Sequence, residues 1–117
     1  MSTLDEFRQL ARLIARVGVD EDQLAIEFLN GEIETHQFKD LKRVSIITTD
    51  EGPMLDDVFW LLLFKTIVMI PQGVAGEAAL LPRLQQLAGF DNEAVIKAMA
   101  SVDNDAFEIW PPSEAGS

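Results

Sequence analysis

The chain has 117 residues, with 20 acidic side chains against 9 basic ones, a formal charge of −11, and no cysteine. Such a surface repels phosphate backbones and anionic lipid, so nucleic-acid and membrane-surface binding are disfavoured and a basic partner is favoured. The missing cysteines exclude disulfides, thiolate nucleophiles and cysteine-ligated metals, and an apolar content of 48% suits one folded domain.

Leu4, Phe7, Leu10, Ala11, Leu13, Ile14 and Val17 recur at helical spacing, which predicts an N-terminal helix stopped by Gly18. Thr3 and Glu6 have the spacing of a capping box at its start. Arg8, Arg12 and Arg16 lie four residues apart along it; they are expected to salt-bridge the protein's own acids, with an anion-docking ridge as the alternative. The first residues carry neither a basic nor an apolar signal region, so a cytoplasmic location is expected. The longest apolar run, from Val58 to Ile70, is broken by Lys65 and falls short of the ~20 residues a membrane helix needs.

From Leu24 the period changes to two. Leu24, Ile26 and Phe28 alternate with Ala25, Glu27 and Leu29, and Asn30-Gly31 predicts a two-residue type I′ hairpin turn before Glu32 to Phe38. That turn would pair Phe28 with Ile33 and Ile26 with Thr35 on the buried side, and Glu27 with Glu34 on the other. A helix from Asp20 to Leu29 is the competing expectation. Leu41 to Thr49 reads as a third strand, with Val44 and Ile46 on one face and Ile47 on the other.

Val58 to Phe64 is apolar on both faces, as a central strand covered on both sides would be, and Thr66 to Ile70 is its hairpin partner. The alternative is a buried helix capped by Asp56 or Asp57. Beyond Gly76, Leu80, Leu84 and Leu87 restore the helical period, which predicts a helix from Ala78 to Ala88 ended by Gly89, with Pro82 in the first turn. Asp91 then caps a second short helix ending near Ser101, with Phe90 and Val95 placed as a hydrophobic staple. Ala106 to Trp110 is a last strand, closed by Pro111-Pro112, and residues 113–117 form a mobile tail. The expected architecture is a single α+β domain over residues 1–112: an N-terminal helix, a mainly antiparallel sheet, and two short helices before a closing strand. Its runner-up replaces the first or fourth strand by a helix.

Thr49-Asp50-Glu51-Gly52-Pro53, Asp57-Val58-Phe59-Trp60, Gly89-Phe90-Asp91-Asn92-Glu93-Ala94 and Phe107-x-x-Trp110 resemble the signature of a group of small, uncharacterised bacterial proteins. The resemblance covers about residues 41 to 110. It implies a bacterial origin and a single α+β domain, and it carries over no catalytic residue.

Two constellations have the residue types for chemistry. Asp50, Glu51, Asp56 and Asp57 gather around one turn, but lack the Asp-x-Asp-x-Asp-Gly run and closing glutamate of an EF-hand. A solvated turn or a partner surface is the better reading. Glu27, Glu34 and His36 would share one sheet face if the hairpin register holds, and two carboxylates with an imidazole suit zinc, iron or manganese, or acid/base work. Outward strand positions are polar in any case, so His36 is expected to be a surface residue. There is no Gly-x-Ser-x-Gly elbow and no phosphate-binding glycine loop.

The functional expectation is therefore a non-enzymatic, acidic protein-interaction module without a cofactor, its most concrete form an immunity-type protein masking a basic toxin. Asp50, Glu51, Asp56 and Asp57 would supply charge, and Trp60 and Trp110 apolar anchors. A homodimer is compatible with the sequence. A small metal- or ligand-binding protein centred on Glu27, Glu34 and His36 is the alternative.

Overall fold

Period-two segments become strands throughout the computed structural model, which describes residues 11–48, 58–100 and 105–111. Seven strands are present among these residues: β1 (Ile14–Val19), β2 (Gln23–Phe28), β3 (Ile33–Gln37), β4 (Arg43–Thr48), β5 (Val58–Leu63), β6 (Ile67–Pro71) and β7 (Asp105–Trp110). They form two antiparallel sheets, β1-β2-β3 and β6-β5-β4-β7. Helices beyond β1 are few among the described residues: short α1 (Leu80–Leu84), which follows a 3₁₀ turn at Glu77–Ala79, and α2 (Asn92–Ala100). The α+β class expected from the sequence therefore holds, with two sheets where one was anticipated.

The N-terminal helix does not extend as its periodicity implies. Ile14 and Val17 lie in β1, antiparallel to β2. The capping box and Arg8 fall in residues 1–10, outside the described residues. β-Branched Ile14, Val17 and Val19 have both spacings available, since i and i+3 can match a helix or, across a bulge, a strand. β1 has that bulge between Ile14 and Arg16, and it brings Ile14 and Val17 to the buried side together. Asp20 closes the β1–β2 hairpin, its carboxylate accepting the Asp22 and Gln23 amides at 2.8 Å each. Neither helical alternative is realised: residues 23–28 and 58–63 are both strands.

The second sheet follows the sequence closely. β5 lies between β4 and β6, and its even-numbered residues Trp60 and Leu62 enter the main core with Val44, Ile46, Val68 and Ile70. Phe59 points the other way, into a second cluster with Ala11, Ile47 and Met69. Burial on both faces is why the strand reads as an unbroken apolar run. β7 adds to β4 with a bulge between Val44 and Ser45, and Ile109 is buried in the main core. In α2, the Asp91 carboxylate accepts the Ala94 amide at 3.0 Å, as the capping pattern requires. Phe90 packs against the core containing Val95. The first sheet's inner face, with Leu24 and Ile26, shares that core with α1 and α2. Arg83 of α1 ties the layers together: its guanidinium lies 4.4 Å from the Phe38 ring centroid, and its Nε donates to the Glu21 carbonyl at 3.0 Å.

The β2–β3 connection departs from the expected turn. Gly31 donates its amide to the Phe28 carbonyl at 2.9 Å, and Phe28 donates to the Glu32 carbonyl at 2.8 Å. Only Gly31, at φ 91°, has positive φ in this turn, so a type I′ geometry, which needs two such residues, is ruled out. Three loop residues with a left-handed glycine shift the register by one. Asn30 stabilises the loop through its side chain, which accepts the Glu32 amide at 2.9 Å. Gly31→Val is expected to lower stability by about 1–2 kcal/mol, because a β-branched residue is strained at positive φ. Urea denaturation checks it, and an unchanged midpoint would reject the left-handed assignment.

Candidate functional site

A one-residue register shift decides which side chains meet at this hairpin. Ile26 faces Glu34, Leu24 faces His36, and Glu27 faces Ile33. Side chains alternate between faces, so Glu34 and His36 lie on the side of the buried Leu24 and Ile26, while Glu27 and Ile33 lie on the opposite face. The expected Glu27, Glu34 and His36 constellation is thereby dispersed. So are the expected Phe28–Ile33 and Ile26–Thr35 pairs.

Each displaced residue has a partner of its own. The Glu27 carboxylate accepts Arg16 Nε at 3.0 Å, and Arg16 Nη2 lies 2.9 Å from the same oxygen. The Arg16 part of the arginine ridge thus salt-bridges the protein's own surface. With two-thirds of the Arg16 side chain in solvent, the pair adds at most about 1 kcal/mol. His36 is not a surface residue: its side chain is 12% exposed and its ring stacks on Phe64 with centroids 4.9 Å apart. Glu34 Oε1 approaches the buried His36 Nε2 to 3.4 Å, without the alignment of a hydrogen bond. Among the described residues no three His, Asp or Glu side chains converge as metal ligands would.

Trp60 is 1% exposed, so it does not supply the surface anchor expected of it. Opposite Ile46 and Ile70 in the sheet, its ring is held in the core, and its Nε1 donates to the Glu77 carboxylate at 2.7 Å. Glu77 is itself buried and also accepts the Gly73 amide at 2.9 Å. No sequence motif marks this residue; its position four residues after Gly73, in a segment closing the sheet, is the only signal. Trp110 is half-buried against the core, and its Nε1 donates to the Ala88 carbonyl at 2.9 Å. Asp50, Glu51, Asp56 and Asp57 lie outside the described residues.

Among the described residues, one surface that combines charge with exposed apolar groups lies at the end of the β2–β3 hairpin. Leu29 is 67% exposed and Ile33 63%, and Leu13, brought alongside by the bond from the Leu29 amide to its carbonyl at 2.7 Å, is 49% exposed. Leu13, Phe28, Leu29, Asn30, Glu32 and Glu34 line a cleft of about 310 Å³ there. It adjoins a smaller one of about 100 Å³ that shares Phe28 and Glu34 and reaches Ile67 and Met69 of β6. Apolar side chains rimmed by carboxylates can bury against a partner and select its charge. Sequence reasoning missed this patch because the assumed register put Glu34 on the other face, opposite Glu27, and Ile33 indoors opposite Phe28. The signal available was Leu29-Asn30-Gly31, an apolar residue immediately before a turn with no buried position to occupy.

No protein-family model, curated protein or solved structure is significantly similar to this chain. No helix among the described residues is long and apolar enough to cross a membrane.

Proposed function

We propose that this chain is a non-enzymatic interaction module that binds a net-basic protein, and that its most concrete form is an immunity-type protein masking a basic toxin in a bacterial cytoplasm. One observation carries the reading: Leu13 and Leu29 stand in solvent and line one cleft with the exposed acids Glu32 and Glu34, in a chain whose formal charge is −11. Exposed aliphatic groups supply contact area that water disfavours, while the surrounding carboxylates set which partner can approach. Asp50, Glu51, Asp56 and Asp57 contribute to the same overall charge.

Capture from the native host, followed by identification of the bound protein, tests the proposal. The captured protein is expected to be net basic, and its association rate to fall about tenfold or more when salt rises from ~0.05 M to ~0.5 M, because screening shortens the range of steering. A neutral partner with salt-independent association would refute it. Charge reversal by Glu32→Lys with Glu34→Lys is expected to slow association without lowering the melting temperature, both side chains being exposed.

A further inference from the structure

We infer that the outer edge of β3 is a strand-addition site, taking an extended, basic segment of the partner protein as a fourth strand of the first sheet. The inference rests on the interaction reading above and specifies how that partner is held.

The hydrogen-bond pattern fixes which groups the edge offers. In an antiparallel pair, residues exchanging bonds alternate with residues that do not. Phe28 bonds Glu32 and Phe38 bonds Asp22 across the β2–β3 pair, so the bonded set is Glu32, Glu34, His36 and Phe38. Ile33, Thr35 and Gln37 therefore direct their amides and carbonyls away from β2. Among the described residues, no strand pairs with that side.

The other edges differ. On β1 the Val17 amide is taken by the Ala75 carbonyl at 2.9 Å, and Arg16 and Ala75 form a parallel bridge. β6 ends in Pro71, and β7 runs into Pro111. β3 holds no proline, lysine or bulge, and of the usual devices that keep an edge from pairing it carries the charge of Glu34, which a basic strand would neutralise. Exposed Ile33 and Leu29 lie at its start.

Charge decides the occupant. A second copy of this chain has no Lys or Arg on its own β3 to meet Glu32 and Glu34, and in the antiparallel registers centred on Ile33 or Glu34 it sets glutamates opposite one another, which destabilises a ladder. An incoming strand with Lys or Arg on alternate residues meets those carboxylates on one face, and its apolar residues meet Ile33 on the other.

The test titrates the full chain with a capped Lys-Val-Lys-Val-Lys-Val peptide, with its Glu-Val-Glu-Val-Glu-Val counterpart, and with lysine peptides N-methylated at every second amide in both frames. Amide NMR shifts and hydrogen exchange are followed at Ile33, Thr35 and Gln37. The lysine peptide is expected to bind and to protect those three amides, with N-methylation in one frame weakening it about tenfold or more through loss of two or three backbone bonds. Thr35→Pro, which removes the central outward amide at a position where an edge strand tolerates proline, is expected to weaken binding similarly with little change in melting temperature. If that variant unfolds, exchange in the unaltered chain decides. Binding that survives methylation in both frames, with the three amides unprotected, overturns strand addition and leaves the basic-partner reading standing. Equal binding of the glutamate peptide overturns the basic-partner reading, and no binding of either peptide overturns both.

Discussion

Gly76→Ala is expected to be among the most damaging single substitutions in this chain, lowering stability by about 3 kcal/mol or more and the melting temperature by on the order of 10 °C. Two costs coincide at this position. Gly76 sits at φ 86°, where an L side chain is strained by about 1–2 kcal/mol, and a Cβ there would fall inside the contact distance of the Val17 carbonyl oxygen. Neither side of the contact can yield cheaply, because both atoms belong to backbone that is bonded on: Val17 donates to Ala75, and the next residue, Glu77, is tied to Gly73 and Trp60. Gly73→Ala is the control. Its φ is 95°, but a Cβ would meet nothing within 4 Å, so it should lose only the conformational part, about 1–2 kcal/mol. Equal losses for the two variants, measured by urea denaturation followed by circular dichroism, would show that the approach of residues 75–76 to β1 is not as close as described.

The second large effect is expected at Glu77. Its two carboxylate oxygens separately accept the Trp60 indole and the Gly73 amide, joining the central strand β5 to the segment that closes the sheet. Glu77→Ala leaves a buried indole N–H without an acceptor, which costs about 2–3 kcal/mol for a bond to a charged group. Trp60→Phe removes the donor and also shrinks the core, so the single variants do not isolate the bond. The double variant does: Trp60→Phe with Glu77→Ala should be less destabilised than the sum of the singles by about 1–2 kcal/mol. Additive losses would mean that the indole and carboxylate are near each other without being coupled. Gly76→Ala and Glu77→Ala should also fail to add, since a displaced Gly76 moves the residue that carries the acceptor.

Local signals were legible wherever a short stretch determines its own geometry. The Asp91 cap, the apolar run of β5, the β5–β6 hairpin and the closing β7 all occur where the sequence placed them, because each depends on residues a few positions apart. The candidate site was much less legible. Its composition depends on a register, and one residue more in the turn exchanges the faces of an entire strand. Asn30-Gly31 announces a tight turn correctly, but does not state whether Asn30 or only Gly31 takes positive φ. The first choice gathers Glu27, Glu34 and His36; the second sends Glu27 to Arg16, folds His36 against Phe64 and turns Ile33 outward.

Residues 14–17 illustrate the same division. Ile14 and Val17 satisfy a helical period as well as a bulged strand, and the choice is made by β2, whose backbone pairs with theirs, and by Ala75, which bonds Val17 from a segment far along the chain. Composition by itself determined the net negative charge and the absence of cysteine chemistry, and periodicity determined that, among the described residues, strands would dominate with two short helices before the last one. Those are sums over residues or repeats within one segment. Tertiary structure alone decided that the described strands form two sheets, that Trp60 is held inside by Glu77, and that no described strand pairs with the outer edge of β3, because each depends on which distant segment supplies or withholds a hydrogen-bond partner.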